Sequence, residues 1–207
     1  MRDPNALALA PSSGQRLSVD DYRQDFRSLR TEIRDKDSWK FERRQHFEED
    51  SASRNAFRQG RWREALALLE ERREPLLQAV RRDKENNTAF HRVRVVEEPL
   101  SPYLQWELHS LRIQAECGKP VRVIQAEKLT TLEADGRLPE VVVLGGEVLY
   151  EVVYSGTGTT LGGIRFSDAT LIATWEEFIK ELYGGGEDVL SYFDRRVAHL
   201  PPPGRTG

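Results

Sequence analysis

Arg92, Arg94, Glu97, Glu98, Tyr103, Trp106, Glu107 and His109 fall within one stretch of 18 residues, the densest mixture of guanidinium, carboxylate and aromatic groups in the chain. In the alternating run HRVRVV, side chains two apart share a face, so Arg92 and Arg94 project together, with Val93 and Val95 on the other side. Two guanidiniums side by side can grip a phosphate or carboxylate through paired N–H donors. The pair is expected near the C-terminal end of its strand, the edge where open α/β sheets bind ligands. Glu97 and Glu98 follow at once, and the competing expectation is an arginine–glutamate network that only holds the sheet. Tyr103 and Trp106 lie on a helix face apart from the Leu104–Leu108–Leu111 stripe. They either complete the site or pack against the N-terminal helices. The candidate ligand-binding set is therefore Arg92, Arg94, Glu97, Glu98, Tyr103 and Trp106. If the chain is instead an enzyme, Glu107 or His109 is the candidate general base.

Several other chemistries are disfavoured. No G-x-S-x-G elbow presents a serine nucleophile. Gly156-Thr157-Gly158 lacks the third glycine of a dinucleotide fingerprint, has Leu161 in its place, and links two expected strands instead of opening a helix. Cys117, the single cysteine, sits at an expected helix C-terminus, where the dipole opposes a thiolate. His46, His91, His109 and His199 show no metal-ligand spacing. No metal and no cofactor is expected.

The elements that must hold these residues follow from periodicity. Ser18, with Asp21 three residues on, starts a helix whose Tyr22, Phe26, Leu29 and Ile33 form one face, ending near Asp35. SWKFERRQHF alternates like a strand: Trp39, Phe41, Arg43, Gln45 and Phe47 point one way, Lys40, Glu42, Arg44 and His46 the other. A helical hairpin turns at Gly60, and Pro75 kinks its second arm or starts a third helix. Ser101 and Pro102 open the helix after the arginine strand, and Gly118 and Pro120 close it before VRVI. A helical crossover of that length implies two parallel strands. Gly145-Gly146 marks a hairpin, and GTGTT separates its second strand from a third. Ser167 is the expected cap of a helix with Leu171, Trp175, Phe178, Ile179 and Leu182 on its apolar face. The order αβαα–βαβ–βββ–αα indicates α/β (α+β), with a central mixed sheet, a βαβ unit, helices on its faces and a helical N-terminal lobe. The expected divisions are a flexible tail over 1–17, the lobe with one strand over 18–88, an α/β domain over 89–200 and a second tail over 201–207.

The 207 residues are 38% hydrophobic and 31% charged, within the range of a globular protein. The net charge of −3 disfavours a nucleic-acid face, and no apolar run is long enough to span a membrane. The ALALA run near the start lacks the basic flank of a signal peptide, so a cytoplasmic location is expected.

From RVRVVEEPLSPYLQWELHSLRIQAECGKPVRVIQAEKL through LPEVVVLGGEVLYEVVYSG to FSDATLIATWEEFIKELYGGGEDV, the chain resembles a phospholipase D-like half-domain. Residues 20–200 also resemble an uncharacterised actinomycete family of unknown function, which implies a helix-turn-helix regulator as a companion. Phospholipase D-type catalysis needs His-x-Lys, but here the histidines are followed at that position by Glu48, Val93, Leu111 and Pro201. Without that nucleophile no phosphohistidine intermediate forms. The expectation is a non-catalytic regulatory or interaction protein binding a small anionic ligand or a protein partner, with a homodimer among the arrangements allowed. The alternative is a transferase or phosphodiesterase working through Arg, Glu and His.

Overall fold

The computed structural model describes residues 4–203. The outermost parts of the two expected tails, 1–3 and 204–207, lie outside the described residues. Among the described residues, eight strands form one sheet: β1 (Gln15–Leu17), β2 (Ser38–Glu42), β3 (Phe90–Val96), β4 (Val121–Gln125), β5 (Val141–Leu144), β6 (Val148–Tyr154), β7 (Thr160–Phe166) and β8 (Glu187–Asp188). Their order is β1-β7-β6-β5-β2-β3-β4-β8. The pairs β2–β3 and β3–β4 are parallel and the others antiparallel, giving the mixed α/β sheet that the pattern predicts. Helix α5 (Pro102–Glu116) is the crossover between β3 and β4, with the Ser101 hydroxyl accepting from the Leu104 N–H at its start.

β2 comes from the N-terminal third of the chain yet lies between β5 and β3, so both segments expected as separate units contribute to one sheet. It stops at Glu42, short of the alternation running on to Phe47. The cause is a distant side chain: the N–H groups of Arg43 and Arg44 both donate to the Glu140 carboxylate, at 2.9 and 2.5 Å, instead of to a neighbouring strand. Part of the expected first tail is also ordered. β1 pairs with β7, and Leu7 is buried in the core. That pairing needs Gly162, whose φ is +134° and whose absent Cβ would sit 2.2 Å from the Leu17 carbonyl oxygen.

The helices follow the predicted order. α1 (Val19–Glu32) begins at Ser18, whose hydroxyl accepts from the Asp21 N–H. α2 (Ala52–Arg58) and α3 (Trp62–Glu70) form the hairpin around Gly60, and α4 (Arg73–Glu85) starts afresh with Pro75 in its first turn, where a missing N–H costs little. α6 (Ala169–Gly185) is capped by Asp168, not Ser167: its carboxylate accepts from the Leu171 N–H at 2.7 Å. α7 (Val189–Arg196) closes the fold.

The two sheet faces differ in kind. Trp39, Phe41, Val93, Val95, Val141 and Val143 line one face and bury against Trp175, Phe178 and Ile179 of α6. Complete burial of a side chain such as Phe41 or Val93 contributes about 1.5–3 kcal/mol. The other face has apolar flanks and a charged centre. At one flank Tyr22 and Phe26 of α1 cover Val142 and Tyr150. At the other, Leu104, Leu108 and Leu111 of α5 join Tyr192 and Phe193 of α7 over Val96, Val121 and Val123. Between the flanks, β2 and β3 present Lys40, Glu42, Arg92 and Arg94, with Lys40 beside Arg92 and Glu42 beside Arg94 in the register.

Candidate functional site

Arg92 and Arg94 share a face, as their spacing requires, but stand mid-strand in surroundings that differ sharply. Arg94 is fully buried. Its Nε donates to Glu107 Oε2 at 2.8 Å, its Nη2 lies 2.7 Å from the same oxygen, and its Nη1 donates to the Val95 carbonyl at 2.9 Å. Burial opposes its charge, but Glu107 and Glu42 outweigh that and raise its pKa. All three nitrogens of Arg94 thus face groups of the protein itself.

Arg92 keeps a 20% exposed side chain and, among the described residues, one ion-pair contact, Nη1 to Glu42 Oε2 at 3.3 Å. Glu42 is shared, because Lys40 Nζ lies 2.6 Å from its other oxygen. Burial works against the Glu42 charge, yet Arg92, Lys40 and Arg94 together hold its pKa down to about 2. Lys40 and Arg92 form part of the floor of a cavity of about 690 Å³ between α1 and α4, within the volume range of small-molecule sites. Tyr22, Phe26, Phe90 and Val142 give it an apolar side, and Arg30, Arg34, Arg82 and Lys119 add cations. Against these six cations stand two carboxylates, Asp83 and Glu85, and Asp83 is already engaged by Arg30 at 2.6 Å and Lys119 at 3.6 Å.

Lys40 and Arg92 also line a second cavity, of about 290 Å³, bounded by α5 and the loop after β2. Its walls carry Glu42, Glu48, Glu49 and Glu107, together with Arg72, Ser110, Gln114, Tyr154 and Thr160. Burial, with Glu42 and Glu49 nearby, raises the Glu107 pKa despite Arg94. Glu140, at the buried end of the charged strip, is pushed up to about 7 by burial and by Glu42.

Apart from Tyr22, this geometry lies inside a stretch with a sequence relationship. Residues 24–194 match a domain of unknown function, DUF6879. The chain belongs to the DUF6879 family. No curated protein matches it. No helix of the described residues is long and apolar enough to cross a membrane, and among them no cluster of His, Cys, Asp and Glu could hold a metal ion.

Within this DUF6879 fold the remaining sequence candidates separate. Glu97 pairs with Arg43 at 2.7 Å and Arg137 at 3.0 Å, and Glu98 meets Arg196 and Tyr192, so both tie down the ends of elements away from the Arg92 cavity. Tyr103 is buried and donates its hydroxyl to Glu49 at 2.6 Å. Trp106 is buried, lines the second cavity and donates its Nε1 to Ser53 Oγ at 3.0 Å, against the N-terminal helices. Glu107 and His109, two positions apart, sit on different faces of α5. The His109 ring lies edge-on to Trp62 and Phe193, and burial lowers its pKa to about 4. The fold does not bring those two candidate bases together.

Lys40, Glu42 and Glu140 join the site without having been singled out in the sequence. The alternation of SWKFERR puts Lys40 and Glu42 on the face opposite Trp39 and Phe41, and that was the available signal. The parallel β2–β3 pairing that sets them beside Arg92 and Arg94 has no counterpart in local sequence.

Proposed function

We propose that this DUF6879 chain is a non-catalytic regulatory or interaction protein that binds a small anionic ligand in the cavity between α1 and α4. Lys40 and Arg92 grip the anion, and Tyr22, Phe26 and Phe90 contact its apolar part. One observation carries the reading: Lys40 and Arg92, on the floor of a cavity lined by six cations and two acids, share a single carboxylate, Glu42, which lines the neighbouring cavity instead. Arg94 is a positioning residue in this account, because it is fully buried, its Nε and Nη1 donate to Glu107 and to backbone carbonyls, and its Nη2 stands against Glu107 as an ion pair. The order β3–α5–β4, then the β5–β6 hairpin and α6, supports the resemblance to a phospholipase D-like half-domain. The missing His-x-Lys supports binding over cleavage. On this reading the bound state is read by another protein, with a helix-turn-helix regulator as the expected companion.

Isothermal titration against pooled phosphorylated and carboxylated metabolites tests the reading. A hit that weakens at least tenfold in Arg92→Ala is the expected result, and a hit bound equally well by that variant would sink the assignment.

A second reading rests on the carboxylates. Glu42 is held down to about 2 while burial pushes Glu107 up, and two acids driven apart in pKa are a pattern found in acid–base catalysis. In that case the chain is a phosphodiesterase or transferase with Glu107 as the proton-handling group. Turnover of generic phosphodiesters that disappears in Glu107→Gln, while the fold is retained, would favour it over binding.

A further inference from the structure

We infer that the anion is a phosphate ester of a polyhydroxyl compound, its phosphate on Lys40 and Arg92 and its hydroxyls directed into the second cavity. This deepens the binding reading above and rests on it. Lys40 and Arg92 are the side chains that the two chambers share with opposite electrostatic surroundings. On the α1–α4 side they join a strongly cationic wall, which suits a dianion better than a single carboxylate. On the α5 side the other charges are Arg72 against Glu42, Glu48, Glu49 and Glu107, a wall that repels a second anionic group and accepts hydrogen bonds. Each of these carboxylates already has a partner on one side, Glu48 in Arg58 and His46, Glu49 in the Tyr103 hydroxyl, Glu107 in Arg94 and Glu42 in Lys40, and their remaining acceptor capacity sets the character of the chamber.

An independent observation points to a missing donor. Glu42 is buried and lines this chamber, and among the described residues no hydrogen-bond donor reaches its Oε2, although Arg92 lies near it as a charge. A buried acceptor without a donor is costly, and a ligand hydroxyl is a suitable donor. Ser110 and Gln114 add groups that both donate and accept, as vicinal hydroxyls require. Together the chambers ask for a ligand with its charge at one end and neutral donors at the other.

Titration calorimetry on the full chain tests this with ribose 5-phosphate, glucose 6-phosphate and adenosine 5′-monophosphate, each beside its dephosphorylated parent. Inorganic phosphate, phenyl phosphate and phosphoethanolamine complete the set. At least one sugar ester should bind tenfold or more tighter than its parent, inorganic phosphate, phenyl phosphate and phosphoethanolamine. Glu49→Gln and Ser110→Ala should each weaken that ester at least threefold and leave inorganic phosphate unchanged. Thermal melts confirm that each variant is folded, and Ser110→Ala removes only one hydroxyl should Glu49→Gln disturb Tyr103. If phenyl phosphate or phosphoethanolamine binds as tightly as the best ester, or both folded variants bind it normally, the polyhydroxyl inference falls and anion binding stands. If no anion binds at all, the underlying reading falls with it.

Discussion

Arg94 places both Nε and Nη2 on one oxygen of Glu107, at 2.8 and 2.7 Å, inside the protein and out of contact with solvent. The pair joins β3 to α5 across the charged face of the sheet. It also separates the two arginines of the HRVRVV run: Arg94 is committed to the fold, and Arg92, one strand repeat earlier, keeps a partly exposed guanidinium in a cavity.

Removing one member of the buried pair should cost far more stability than removing Arg92. Breaking a buried ion pair leaves an uncompensated charge and typically costs about 3–5 kcal/mol. Arg94→Ala and Glu107→Ala are each expected in that range by urea denaturation, with Arg92→Ala costing about 1 kcal/mol. Replacing both partners with apolar groups, as in Arg94→Met with Glu107→Leu, should recover much of the loss, since the orphaned charge is then gone.

Glu140 makes stability fall as pH rises. Its carboxyl is raised from 4.5 to about 7, so between those values the folded state holds a proton that the unfolded state has lost. Its contribution is therefore greatest below about pH 4.5, declines towards pH 7 and is flat beyond, a total of about 3 kcal/mol. Glu140→Gln keeps an acceptor for the Arg43 and Arg44 N–H groups and should flatten the slope in that window. Parallel denaturation curves from pH 4 to 8 make the comparison, and an identical slope in both proteins would remove Glu140 as its source.

His109 acts in the opposite sense. Its pKa falls from 6.5 to about 4, so the fold favours the neutral ring, and stability from this group is present above pH 6.5 and lost as pH drops towards 4. His109→Phe should be less sensitive to acid over that interval and should bind anions normally, because the ring lies among Trp62 and Phe193. Weaker anion binding in that variant would place His109 closer to the site than its contacts do.

Gly162→Ala should loosen β1. A Cβ at φ +134° and 2.2 Å from the Leu17 carbonyl oxygen cannot be accommodated while β1 pairs with β7. Hydrogen exchange should show faster exchange of the β1 amides with the centre of the sheet unchanged. Equal protection in both proteins would mean that this edge tolerates the substitution.

Local patterns carried much of the fold because caps and periodicities are local. Ser18, Ser101, Gly60 and Gly145-Gly146 mark real boundaries. The 102–116 helix and its parallel crossover follow from spacing alone. The insertion of β2 between β5 and β3 depends on pairing between residues roughly 50 and 100 positions apart, which no window of sequence displays. The end of β2 was hidden for a similar reason: Glu140, nearly 100 residues away, takes the N–H groups that would have extended it. For the site, the shared face of Arg92 and Arg94 was readable. Their different burial was not, because it depends on which arginine the Glu107 carboxylate reaches from α5.

The most direct test of the central claim follows the two guanidiniums separately by NMR. In the protein with ¹⁵N-labelled arginine, the Nε–Hε signals of Arg92 and Arg94 are assigned by Arg92→Lys and Arg94→Lys and then followed during titration with the tightest anion found. Arg92 should shift progressively to saturation while Arg94, held by Glu107, moves little. Saturable binding that leaves the Arg92 signal in place would contradict the account.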